Sequence, residues 1–141
     1  MKPVDQTILD PVKGNCFEAS IASILEIPLE DIPDFYADED VDWLSACNKW
    51  LHAYGFFALG INVQSEKINR EELKHITDNV MCEAAVNSPR YSGVKHSIVF
   101  YKGVVLHDPH PSKDSMDCKL DDLLSIIIFI AIDPAKTLSN T

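Results

Sequence analysis

The sequence predicts an α+β domain, and three observations predict it. Helical periodicity fills most of the first half of the chain, strand-type runs fill the last third, and both stand in one short chain. With 141 residues, 46% of them hydrophobic and 24% charged, the chain has enough apolar material for one core. The expected organisation is a single domain over 1–134, with N-terminal helices packed on a C-terminal antiparallel sheet. A polar tail over 135–141 is expected to be disordered.

The first fourteen residues are irregular, broken by Pro3, Pro11 and Gly14. A helix is expected from Asn15 to Glu26, because Phe17, Ile21, Ile24 and Leu25 recur at helical spacing and Pro28 ends the run. Asn15 with Glu18 three positions on reads as a capping box. Residues 28–38 are a turn-rich connection. A second helix is expected over 39–54, with Val41, Leu44, Leu51 and Tyr54 on one stripe and Gly55 just past its end. FFALGINV reads as a strand, Arg70–Asp78 as a short helix, and Met81–Val86 as another strand. After the loop NSPRYSG, HSIVFYKGVVLHD reads as a hairpin turning at Lys102-Gly103. Residues 112–118 are a polar loop, KLDDLL is one helical turn, and SIIIFIAI is expected as a central strand buried on both faces.

The totals exclude several functions. A formal net charge of −10 argues against nucleic acid as a partner, since phosphate binding needs clustered Lys and Arg. The longest apolar run, Ile126–Ile132, is far too short to cross a bilayer, so no membrane association is expected. MKPVDQTILD lacks an apolar signal region, which makes the cytoplasm the expected compartment. Acid is concentrated between Glu30 and Asp42, as a solvated face or a docking surface for a basic peptide. The four cysteines are scattered, with no C-x-x-C pair, and read as free thiols; Cys47 and Cys82 sit in apolar segments as core residues.

Cys16 differs from them. It opens the proposed helix directly after Gly-Asn, where unpaired amides and the helix dipole favour a thiolate and lower its pKa. His96 opens a strand, a rigid place for a general base. If Tyr101-Lys102-Gly103 forms a three-residue turn, Phe100 faces Val104 and His96 lies directly opposite Asp108, with β-carbons roughly 4.5–5.5 Å apart. A two-residue turn pairs Phe100 with Val105 instead and splits His96 from Asp108 across the sheet; the third-position glycine favours the first register. Cys16, His96 and Asp108 then form a nucleophile, base and orienter. An oxyanion hole needs the Cys16 amide and one upstream donor, Gln6 or Asn15. His110 is expected beside the cleft as a substrate contact.

A glutamine, then Gly-Asn-Cys opening a helix, then a histidine starting a strand, then Asp-Pro closing a hairpin resembles the papain-like cysteine peptidase superfamily, its small C39-like peptidases especially. GNCFEASIASILEIPLEDIPDF together with HSIVFYKGVVLHDPHPS also looks like a group of small uncharacterised phage and bacterial proteins. The resemblance implies a papain-like fold, a Cys16–His96–Asp108 triad and Gln6 in the oxyanion position. Gln6 precedes Cys16 by more than the usual spacing, so the loop between them must hold an extra bulge. The expected function is cleavage of a peptide, isopeptide or related amide bond in a protein or peptide substrate, through a thioester and without metal or cofactor. Oligomeric state is left open. Two rivals stand beside it. A metal site would draw on His107, His110, Cys118 and Cys82, but Pro109 and Pro111 bracket His110 and no pair has zinc-knuckle spacing. A catalytically silent binding or inhibitor module, such as a phage factor aimed at a host protein, would keep the fold without the activity.

Overall fold

A computed structural model describes residues 1–65 and 67–133. The chain is α+β, with three α-helices and five strands among the described residues, in the order α1 (Cys16–Leu25), α2 (Trp43–His52), β1 (Phe56–Asn62), α3 (Arg70–Asn79), β2 (Cys82–Asn87), β3 (Lys95–Tyr101), β4 (Val104–His107) and β5 (Ser125–Ala131), and two single 3-10 turns at Leu29–Asp31 and Leu120–Asp122. The expected tail at 135–141 lies outside the described residues.

The strands form one antiparallel sheet in the order β1-β5-β2-β3-β4. Alternation of side chains divides the core. On one face, Val99, Ile127 and Phe129 meet Ile21, Ala22 and Ile24 of α1 and Leu51 of α2. On the other, Ile98, Phe100 and Ile126 meet Leu73 of α3 and Leu120. Cys47 and Cys82 are fully buried, and all four thiols are free. Asp42 caps α2 by accepting from Ser45 N at 3.0 Å, so that helix starts four residues later than the sequence reading placed it. Gly55, with φ 80°, takes the left-handed position after it.

Three expectations are corrected. Asn15 precedes α1 but its side chain makes no capping bond, so the capping box does not form. β5 lies inside the sheet, but β2 is the middle strand, and Ile130 is 43% exposed because no helix covers that end of the outer face. The hairpin has the two-residue turn, with Lys102 at φ 53° and Gly103 at φ 79°, and pairs Tyr101 with Val104 and Phe100 with Val105. The adopted turn needs positive φ at both central residues and suits the strand twist.

The outer edge of β1 is occupied. Asn48 of α2 accepts from Ala58 N at 2.7 Å and donates to Ala58 O at 3.0 Å, satisfying both groups that face away from β5.

Candidate active site

The hairpin register should have separated His96 from Asp108, yet the two side chains meet. The ladder runs Phe100 to Val105 and then Val99 to His107, so Leu106 is an extra residue in β4. This bulge shifts side-chain parity by one. Continuing that register sets Asp108 across from Ile98, on the same face as His96 and one rung away. His96 Nε2 and Asp108 Oδ1 are 2.7 Å apart, with the imidazole 5% and the carboxylate 0% exposed.

Asp108 is anchored from three sides. Besides His96, the backbone N–H of His110 donates to Oδ1 at 3.0 Å and that of Ser115 donates to Oδ2 at 2.8 Å. Burial by itself raises a carboxyl pKa, but these bonds, led by His96, outweigh it and hold Asp108 down at about 2. With Nε2 engaged, His96 presents Nδ1 as its remaining nitrogen.

Cys16 is the first residue of α1 and lines, with His96, Gln6 and His110, a cleft of about 950 Å³. The backbone N–H of Ser97, the residue after His96, reaches the Cys16 thiol, which puts the sulfur beside the start of β3. The sequence reading expected a lowered thiol pKa, and this is corrected. Burial is the larger influence and pushes the thiol up, helped by the Glu83 and Glu18 carboxyls, while the Ser97 and Phe17 amides offset only part of it. The thiol therefore keeps its proton near neutrality until a base removes it.

The loop between Gln6 and Cys16 contains the excursion its length requires. The Asn15 side chain accepts from Thr7 N at 3.0 Å and Ile8 N at 2.9 Å and donates to Thr7 Oγ1 at 3.0 Å. Asp10 accepts from Val12 N and Lys13 N. The excursion folds Gln6 back beside Gly14, where an added β-carbon would stand 2.6 Å from Asp10 O and 3.5 Å from Gln6 Nε2, so only glycine fits. Gln6 N also donates to Pro109 O at 2.9 Å, tying this residue to the strand end that carries Asp108. Gln6 Nε2 spends one proton on Ile8 O at 2.9 Å and keeps a second. Of the two oxyanion candidates, Gln6 lines the cleft with one amide proton uncommitted, whereas the Asn15 amide is committed to the loop.

His110 is edge-on to His96, with ring centroids 6.3 Å apart, and Ser112 N donates to its Nδ1. Burial first, then Arg90, lowers its pKa. His107 turns away: its Nε2 donates to Val4 O at 2.8 Å and tethers the N-terminal segment. Among the described residues no group of three or more His, Cys, Asp or Glu side chains is placed to hold a metal, and no helix is long and apolar enough to cross a membrane.

Two buried acids escaped the sequence reading. Glu83 of β2 accepts from Ser97 Oγ at 2.6 Å, and that hydroxyl lies 2.9 Å from Ser20 Oγ of α1. Burial raises Glu83 to about 7, with the Ser97 bond acting against it. A lone acid in the apolar run MCEAAV was the available signal. Glu18, assigned above to a cap, is buried instead, and burial raises it to about 7 as well.

No family model, no curated protein and no solved structure matches the chain.

Proposed function

We propose that the protein is a papain-like cysteine hydrolase that cleaves a peptide, isopeptide or related amide bond with Cys16 as nucleophile, His96 as base and Asp108 as orienter. The observation that carries this reading is the buried 2.7 Å His96–Asp108 contact opening onto the cleft that Cys16 also lines. Structural histidines are common, but a histidine fixed by a fully buried carboxylate with one nitrogen left over, beside a thiol at a helix start, fits acyl transfer.

In that reaction Cys16 Sγ attacks the substrate carbonyl as its proton passes to His96 Nδ1. Asp108 holds the Nε2–H tautomer and stabilises the imidazolium. The Cys16 amide, one of the unpaired amides of the first helical turn, and the spare Gln6 Nε2–H bind the developing oxyanion. Collapse breaks the C–N bond, and the leaving amine takes the proton from His96. Water, deprotonated by His96, then attacks the thioester; the acid departs and the thiol returns.

A second reading, a catalytically silent binding or inhibitor module on the same fold, is favoured by one observation. The thiol is pushed up by burial with two acids nearby, the reverse of a resting thiolate. Thiol-directed electrophiles of peptide and ubiquitin type, followed by mass-spectrometric mapping, separate the two. A hydrolase is modified at Cys16 ahead of Cys118 and the buried Cys47 and Cys82, and His96→Ala abolishes that preference. Uniformly slow modification, indifferent to His96→Ala, would overturn the hydrolase reading.

A further inference from the structure

We propose that the cleft contains a subsite for a cationic group of the substrate, an ammonium or guanidinium, built from Glu18, Asp34 and Tyr36. This deepens the hydrolase reading by naming what the cleft selects.

Glu18 lies in the first turn of α1 and lines the cleft, yet only 6% of it is exposed. Its carboxyl makes a hydrogen bond with its own backbone N–H, and among the described residues it forms no ion pair. A core position selected for stability alone would hold an apolar side chain, because a buried carboxylate without a counter-charge is unfavourable. An acid kept there in the lining of an open cleft is a group whose partner comes from outside. Burial holds its pKa near 7, so an arriving cation also favours the ionised form.

Two neighbours supply the rest of the recognition. Asp34 lines the same cleft close enough to raise the Glu18 pKa by charge repulsion, and it has no cationic partner among the described residues. Tyr36 stacks one ring face on Trp43, with centroids 5.5 Å apart and planes 23° from parallel. Tyr36 is still 54% exposed, so its other face is open. An aromatic face beside two carboxylates is the arrangement that binds a desolvated cation. Among the described residues no basic residue of the cleft forms an ion pair with Glu18 or Asp34, and Arg90 is directed to Asp114 and Ser112. The acidic stretch noted in the sequence, Glu30 to Asp42, thus includes one carboxylate at the mouth of a deeper one.

The experiment reads binding rather than turnover, so its failure is distinct from failure of the hydrolase reading. In Cys16→Ala protein, N-acetyl-arginine amide, N-acetyl-lysine amide and the neutral N-acetyl-norleucine amide are titrated while tryptophan fluorescence, sensitive to the Tyr36–Trp43 stack, is followed. At least one cationic probe is expected to bind roughly tenfold or more tightly than norleucine amide, as a charge-assisted hydrogen bond implies. Whichever of arginine and lysine binds better identifies the cation, and either preference supports the subsite. Glu18→Gln, nearly isosteric, is expected to erase the preference without altering norleucine binding. Asp34→Asn, on an exposed residue that leaves the core untouched, should weaken it several-fold. Equal binding of the neutral probe, or a preference that survives both substitutions in folded protein, overturns the subsite. A Glu18-dependent preference in a protein whose Cys16 proves inert keeps the subsite and removes the hydrolase.

Discussion

Replacing Asp108 with asparagine tests the core of the site through folding as well as catalysis. The carboxylate is fully buried and accepts three hydrogen bonds. In Asp108→Asn the best orientation keeps the amide oxygen toward His96 and the His110 N–H. The NH₂ then faces the Ser115 N–H, donor against donor, and one buried bond is lost, at a cost of about 1–3 kcal/mol. The pH dependence supplies a second measure. Asp108 is held near 2 instead of 3.8. Each tenfold change in proton affinity is worth about 1.4 kcal/mol, so the carboxylate contributes about 2 kcal/mol. Because the folded pKa is the lower one, that contribution is complete above about pH 4 and is lost as pH falls toward 2. Denaturant unfolding of both proteins from pH 2 to 7 is the assay. Asp108→Asn should be less stable at pH 6 by about 2 kcal/mol, with the gap narrowing at pH 2. A gap that is absent at pH 6, or that does not change with acid, refutes the assignment of three bonds to an ionised Asp108.

Deleting Leu106, the extra residue, should close the β4 bulge yet keep Asp108 across from Ile98, whereas inserting one alanine between His107 and Asp108 should carry Asp108 to the far face and leave His96 without its partner. With the insertion the downfield Nε2–H resonance of His96 should vanish, and turnover should fall by up to the order of 10⁴-fold seen when an orienting aspartate fails; an unchanged resonance in the insertion variant would show that strand register does not set the face. Glu83 has a raised folded pKa, so its proton stabilises the fold below about pH 4.5 and that stabilisation, about 3 kcal/mol, is lost as pH rises toward 7. Stability should therefore decline between pH 5 and 7, with Glu18 adding a decline of its own, and Glu83→Gln should make the slope shallower; a slope of unchanged steepness in the variant assigns it elsewhere. Iodoacetamide modification of Cys16 should accelerate only at alkaline pH, above the range of an ordinary thiol, because burial raises it, and Glu83→Gln should shift that profile to lower pH; no shift would mean the carboxyl does not act on the sulfur.

The helices, strands and hairpin position were legible because periodicity and punctuation are local properties. Cys16 was legible for the same reason, since Gly-Asn-Cys before an apolar helical pattern marks a helix start whatever follows. The route by which His96 meets Asp108 was not. The glycine at 103 is compatible with two turn types, and the bulge at Leu106 is stabilised by the His110 and Ser115 amides that hold Asp108, residues beyond the hairpin. The expected partnership arose through a register that had been set aside. The thiol's raised pKa was hidden for a related reason: it depends first on burial under the tertiary fold and then on Glu83, sixty-seven positions away in sequence on β2, against which α1 packs. Asn15 looked like a cap because caps are read from a residue and its sequence neighbours, and its actual partners, Thr7 and Ile8, lie in a loop whose path no short-range pattern specifies.

An open sheet presents unsatisfied backbone at its outermost strands, where another molecule can add itself indefinitely. Here the Asn48 side chain imitates a passing strand at Ala58, offering one donor and one acceptor where a newcomer's peptide group would have to sit. β4, at the opposite border, is only four residues long and gives way to Asp-Pro. Extension is thus hindered at one margin by a single amide on a helix and at the other by a strand that stops after four residues at a proline ring.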